Sequence, residues 1–338
     1  MEQKSDHIII IAEAGVNHNA SLERARQMVI EARKAGADYV KFQTAVPELV
    51  ISSLAPKAEY QKETTGSEES QLDMCRAIHL PLSAYTELAA LCREEGIGFM
   101  STPFDLVSID TLAEIGQDYW KIPSGEITNL PYLRKIASKG GKVIMSTGMS
   151  TLDEVEQAVK ALETGGIPRR DITLLHCTTQ YPTPMTDVNL RAMHALESLG
   201  CGAVGYSDHT LGIEIPVAAA AMGARVIEKH FTLDRNLPGP DHRASLTPAD
   251  LADMVKAVRN VETALGDGIK TVAEAERPNI EVARKSIVAA RDIKAGELLT
   301  EENITVKRPG NGLSPMIWDS VIGTHAVKDF PYDSLIEI

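Results

Sequence analysis

Three features of the chain predict a closed (β/α)8 barrel, a TIM barrel, followed by a small β-rich module. Eight short apolar runs recur ahead of Gly266, helix-like stretches separate them, and the runs end in or beside polar and ionisable residues. Strands buried on both faces read as continuous Val/Ile-rich runs, and eight of them alternating with helices argue for a barrel.

The runs are IIIIAE (8–13), DYVKFQ (38–43), IGFMST (97–102), YWKI (119–122), KVIMS (142–146), ITLLH (172–176), AVGYS (203–207) and RVIE (225–228). Helical periodicity fills the gaps in SLERARQMVIEARKAG, LSAYTELAALCREEG, TLDEVEQAVKALETGG and IEIPVAAAAMG. Ser21 and Thr151 stand where N-caps belong, and several of these stretches end in Gly, as a C-cap requires. The segment from Pro47 to Pro81, with its KETTGSEESQ stretch, is longer than a usual βα loop and reads as a lid, a substrate wall or a surface excursion.

The barrel is expected over residues 1–266, a polar linker over 267–282 and the β-rich module over 283–338. In the last part KSIVAA, ITVKR and HAVKD read as short β runs between the turn sequences DIKAGE, PGNG and PYDS. A module of that size has a thin core of its own and is expected to dock on something.

At 338 residues and 43% hydrophobic content the chain has enough apolar material for a barrel core, so disorder is not expected. A formal net charge of −13 excludes a general binder of nucleic acid or membrane surfaces, which needs a basic field. Any anionic ligand must be met locally. The cysteines Cys75, Cys92, Cys177 and Cys201 form no C-x-x-C pair and no zinc spacing, so reduced thiols of a cytoplasmic protein are expected. HIIIIA runs straight into Glu13 and suits a first barrel strand better than a signal segment. No later apolar stretch approaches the roughly 20 residues of a membrane span.

In a barrel of this kind the C-terminal ends of the strands face the active site. Side chains two apart on a strand share a face, so Lys41 with Gln43, Ser207 with His209, and Glu228 with His230 can each point into one mouth. His209 and His230 come from neighbouring strands and can converge on a divalent cation such as Mn²⁺ or Mg²⁺, whose shell water and substrate oxygens complete. The bland alternative is two satisfied strand-end histidines. Lys41 and Lys121, with Thr102, Ser124 and Ser146, could surround a phosphate or a phosphate and a carboxylate, lysine acting as a compact point charge. The alternatives are that the lysines are paired to Glu13, Glu126 or Glu228, or that one forms a Schiff base. The three glutamates are acid/base candidates if burial tunes them upward. His176, His194 and His18 are weaker candidates, the last two reading as structural or solvated, and KRPGNG, with Lys307 and Arg308, reads as a glycine-rich turn.

Read with their neighbours, these residues resemble the sialic acid synthase family, the phosphoenolpyruvate (PEP)-dependent synthases of nine-carbon nonulosonic acids. The likeness rests on IAEAGVNHN, DYVKFQT, FMSTPFD, KIPSGE, STGMS, LLHCTTQYPTP, GYSDHT, IEKHFTLD, PGPDH and VKRPGNG, in order along almost the whole chain. It implies that the C-terminal module is an antifreeze-protein-like (SAF) domain. It also implies a condensation of PEP with an N-acylated mannosamine and water, with loss of phosphate by C–O cleavage. By the same likeness His209 and His230 hold the metal, with Mn²⁺ expected ahead of Mg²⁺ or Co²⁺. Lys41, Thr102, Lys121, Ser124, Ser146 and Ser207 match positions that bind PEP; Glu126, Tyr181 and Asp241 match positions that orient the sugar; Gln43 and Glu228 complete the pocket, and Glu13 manages a proton. Arg308 matches an arginine that reaches the sugar's N-acyl group from a partner subunit, which implies a domain-swapped homodimer. Thr179 departs from the family, whose sialic acid members often carry Asn there. KAEYQKETTGSEESQLDM and KIPSGEITNLPYL look more like the legionaminic acid synthase branch, whose sugar is a 2,4-diacetamido-6-deoxy mannose analogue. The rival expectations are a Schiff-base barrel aldolase using Lys41 or Lys121, and a non-catalytic carbohydrate- or ice-binding protein.

Overall fold

The computed structural model of the protein describes residues 7–57, 62 and 70–338, and places eight parallel strands ahead of Gly266. They are β1 (Ile9–Gly15), β2 (Tyr39–Thr44), β3 (Gly98–Pro103), β4 (Tyr119–Ile122), β5 (Lys142–Ser146), β6 (Ile172–His176), β7 (Ala203–Asp208) and β8 (Val226–His230). Hydrogen bonding runs β3-β2-β1-β8-β7-β6-β5-β4, and β3 lies against β4, so the sheet closes on itself as the TIM barrel that the sequence predicts. Each strand is only four to seven residues long and buried on both faces, which is why its sequence is an apolar run rather than an alternation.

Two apolar layers result. Between strands and helices lies a large core that includes Ile10, Val40, Phe42, Tyr85, Leu88, Tyr132, Leu162 and Leu251. Inside the barrel Ile11, Met100, Ile144, Leu175 and Val226 form a floor. Two residues further along four of these strands come Glu13, Thr102, Ser146 and Glu228, so the period of two places polar groups directly above the apolar floor. The helices begin and end where the local chemistry dictates. Ser21 accepts from the Arg24 N–H ahead of Leu22–Ala35, and Thr151 forms a capping box with Glu154 ahead of Leu152–Thr164. Gly36 closes the first of these helices at φ 86°, a conformation that favours glycine.

The chain divides into two compact units, Met1–Gly266 and Asp267–Ile338. In the second, a short helix covers Arg277–Ala283, β9 (Ser286–Ala289) pairs antiparallel with β10 (Ile304–Lys307), and Ile287, Ile293, Leu299, Ile304, Val321, Phe330 and Ile336 form a separate core. KSIVAA and ITVKR thus form strands, whereas HAVKD does not. Only a single bridge joins Leu298 to His325, and Val327 is exposed, so no sustained ladder forms there. Most of the KETTGSEESQ stretch lies outside the described residues, while its C-terminal flank is the helix Gln71–Ile78.

Candidate active site

A cavity of about 430 Å³ opens at the C-terminal ends of the strands. Of the residues predicted for the site, Glu13, Lys41, Gln43, Thr102, Lys121, Ser124, Ser146, Tyr181, Ser207, His209, Glu228, His230 and Asp241 all line it. Glu126 does not; it sits half-buried on the 3-10 turn Ser124–Glu126 and accepts from Asn129 Nδ2 at 2.6 Å. Arg308 belongs to the second unit.

Strand register explains the convergence. Glu13 is level with Lys41 on one side and His230 on the other, Gln43 with Thr102, and Ser207 with Glu228. An extra residue, Ala14, enters β1 between Glu13 and Gly15, a β-bulge that Gly15 permits at φ 52°. A side chain at Gly15 would crowd Glu13 Oε1 and Gln43 Nε2 at 3.2 and 3.3 Å.

The lysines are buried and partnered in different ways. Lys41 Nζ lies 2.6 Å from Glu13 Oε2 and donates to Thr102 Oγ1 at 3.0 Å. Lys121 Nζ donates to Ser146 Oγ at 2.7 Å. Between them stands Glu228, with Oε2 3.9 Å from Lys41 and Oε1 3.7 Å from Lys121, and Ser207 Oγ donates to it at 3.2 Å. Burial alone would push the Glu228 carboxyl up, but Lys121 and Lys41 together hold it below its ordinary value. Glu13 goes the other way: burial, aided by the Glu228 charge, raises it against the pull of Lys41 and a 3.0 Å hydrogen bond from Gln43 Nε2. Burial likewise lowers Lys121 and pushes Asp241 up to about 7. The site therefore holds three carboxyls of unlike character, Glu228 kept ionised and Glu13 and Asp241 able to carry a proton.

Across the cavity the rings of His209 and His230 lie 5.4 Å apart, with Tyr181 4.1 Å from the first and 5.7 Å from the second. His209 Nδ1 donates to the Thr178 carbonyl at 2.6 Å, which leaves Nε2 as the lone-pair nitrogen. His230 Nδ1 is buried without a hydrogen-bond partner among the described residues, 4.0 Å from Asp241 Oδ2. Burial holds both imidazoles below their ordinary value, so both are neutral donors of the kind a divalent cation takes. Among the described residues no third His, Cys, Asp or Glu completes a metal-holding group with them. Water and ligand oxygens are left to fill the remaining positions.

Several contributors escape sequence reasoning. The Thr178 carbonyl has no sequence signal at all. Gly148 brings its N–H to Ser124 Oγ at 3.0 Å, and a side chain there would meet Thr179, Ser124 and Cys177 within 3.0 Å. Met74, Cys75 and Ile78 from the helix Gln71–Ile78 join Val16, Phe104 and Met149 as a mostly apolar wall.

Comparison with known proteins agrees along the chain. Residues 28–270 match the NeuB family and residues 284–337 the SAF domain. The N,N'-diacetyllegionaminic acid synthase of Campylobacter jejuni subsp. jejuni serotype O:2 is 51% identical over 328 residues, covering 97% of this chain and 98% of that protein. Its namesake in Legionella pneumophila subsp. pneumophila is 44% identical over 317 residues, covering 93% and 89%. A solved N-acetylneuraminic acid (sialic acid) synthetase from Leptospira borgpetersenii serovar Hardjo-bovis, in complex with citrate, superposes with a TM-score of 0.70 at 34% identity, covering 81% of this chain and 90% of that one. With matches through both units and this cavity at the strand ends, the chain belongs to the NeuB family and carries a SAF domain.

Proposed function

We propose that this family member condenses PEP with a 2,4-diacetamido-6-deoxy mannose analogue to give a legionaminic-acid-type product. The chain is a PEP-condensing nonulosonic acid synthase that takes an acylated hexosamine. One observation carries the reading: Lys41 and Lys121 flank Glu228 in the same cavity that holds His209 and His230.

C3 of PEP attacks the aldehyde carbon of the open-chain sugar, forming the C–C bond, and the aldehyde oxygen becomes a hydroxyl. Water adds at C2, the C2–O bond to phosphate breaks, and loss of the hydroxyl proton leaves the 2-keto acid and inorganic phosphate. Lys41 with Thr102, and Lys121 with Ser146, Ser124 and Ser207, bind and orient the PEP anion. Glu13, lifted by burial, holds or releases a proton at its carboxyl as water and the intermediate need. Tyr181, Asp241 and Glu126 orient the sugar, and Gln43 and Glu228 complete the pocket. His209 and His230 would hold a divalent cation, Mn²⁺ ahead of Mg²⁺ or Co²⁺, which supplies Lewis acidity toward an aldehyde oxygen.

The apolar wall of Met74, Ile78 and Met149 favours the 6-deoxy sugar, because a methyl group there buries without stranding a hydroxyl. We further place Arg308 at the sugar's N-acyl group in a partner subunit's site, in a domain-swapped homodimer whose exchanged part is the 283–338 module joined by the 267–282 linker. The protein is placed in the cytoplasm, where its four free thiols stay reduced. No helix among the described residues is long and apolar enough to cross a membrane.

A coupled phosphate-release assay across N-acetylmannosamine and its 2,4-diacetamido-6-deoxy analogue tests the reading. Higher kcat/KM with the analogue is expected. Equal or better turnover of N-acetylmannosamine overturns the sugar assignment, and phosphate release with neither overturns the enzyme assignment.

A further inference from the structure

Behind the two histidines lies a second charged pair that the chemistry above does not use. Asp208 and Lys229 are register partners on the last paired rung of β7 and β8. Strand alternation sends them to the opposite face from Ser207, His209, Glu228 and His230, and both are completely buried. Lys229 Nζ donates to Asp208 Oδ2 and to the Thr210 carbonyl. Asp208 also accepts from the Thr210 N–H at 3.1 Å and from Thr210 Oγ1 at 2.9 Å.

The placement of these bonds is specific. Asp208 and Thr210 bracket His209 in the chain, and Lys229 immediately precedes His230. Ladder pairing stops at Asp208 and Lys229, so the ion pair is the cross-link between the two strands at the level from which both imidazoles project. A buried ion pair is a poor device for stability alone, since apolar residues of similar volume are often neutral or better. Charge that is buried at such cost, with every bond converging on the backbone around His209 and the root of His230, fixes a geometry.

We propose that Asp208 and Lys229 are positioning residues that set the separation of His209 and His230, and so the affinity of that pair for a divalent cation. This inference rests on the metal reading of the two histidines.

Mn²⁺ titration of the metal-stripped full-length protein, read by the loss of the free-ion EPR signal without substrate, tests it. The variants are His209→Ala, His230→Ala, Asp208→Asn and the apolar pair Asp208→Leu with Lys229→Met. Circular dichroism melts report folding. Both histidine variants are expected to lose binding. The Asp208→Asn and apolar-pair variants are expected to stay folded, bind Mn²⁺ about 10- to 100-fold more weakly, and lose kcat with little change in the KM for PEP. Parent-like Mn²⁺ binding by both histidine variants overturns the metal reading itself. If the histidine variants lose binding while Asp208→Asn keeps the parent's Kd, the positioning role is overturned. Should the apolar pair fail to fold, Asp208→Asn alone decides.

Discussion

Lys121 Nζ stands 3.7 Å from Glu228 Oε1, and both side chains are buried. The same carboxylate faces Lys41 on its other oxygen, so one anion serves two cations before any substrate arrives. Incoming PEP competes with Glu228 for both ammonium groups. Removing one of them leaves PEP a single cation that the same carboxylate also holds.

Lys121→Met is therefore expected to raise the KM for PEP. A lost hydrogen bond to a charged group is worth about 1.5–3 kcal/mol, roughly 10- to 150-fold. Glu228→Gln keeps an acceptor for Ser207 and removes the competing charge, so it should not raise that KM. Steady-state kinetics with PEP varied at saturating sugar measures both, and a KM unchanged in Lys121→Met would remove Lys121 from the PEP site.

Burial lowers Lys121, which is the property a Schiff-base lysine needs, so the aldolase alternative can be tested directly. Its ammonium instead donates to Ser146 and faces Glu228, as an anion-binding lysine does. Borohydride treatment in the presence of pyruvate or PEP should leave the intact mass of the protein unchanged. A reduced adduct on Lys41 or Lys121 would reverse the assignment.

The Arg308 placement makes a prediction that no single-site loss could imitate. Arg308→Ala should raise the KM for the sugar more than that for PEP. When mixed and exchanged with Lys121→Met it should recover about a quarter of parental activity, because random pairing restores one intact site in half of the dimers. Mixed dimers with no recovered activity would count against the subunit exchange.

How much of this was legible in the sequence depended on the side of the strand. Residues facing into the barrel were found because Lys41/Gln43, Ser207/His209 and Glu228/His230 interrupt apolar runs with period two, and the cavity contains all six. The outward partners Asp208 and Lys229 carry the same period, yet the period alone does not say that the two charges pair with each other in the buried layer between strands and helices. The Thr178 carbonyl could not be seen because any residue supplies one. Met74 and Ile78 lay within a long segment whose helix, Gln71–Ile78, is too short to announce itself by periodicity. HAVKD reads as a strand and forms none for the related reason that a few alternating residues suit an isolated bridge as well as a strand.

His18 offers a prediction about stability rather than catalysis. It is fully buried; the Ala20 N–H donates to Nδ1 at 3.2 Å, which puts the ring proton on Nε2, and Nε2 has no hydrogen-bond partner among the described residues. Burial, with minor help from His79 and Arg24, holds its pKa down to about 3. In the unfolded chain the same ring titrates near 6.5. Above that value neither state is protonated and the neutral ring contributes in full. Below it the unfolded chain takes up a proton that the native state refuses, so the contribution falls as pH drops toward 3, by about 1.4 kcal/mol per pH unit. His18→Gln does not titrate. The stability difference between parent and variant, from urea unfolding at pH 7, 6 and 5, should therefore be constant above pH 6.5 and shift against the parent below it. A difference independent of pH down to 5 would mean that His18 accepts a proton in the folded protein as readily as in the unfolded chain, and that its burial is not the constraint described.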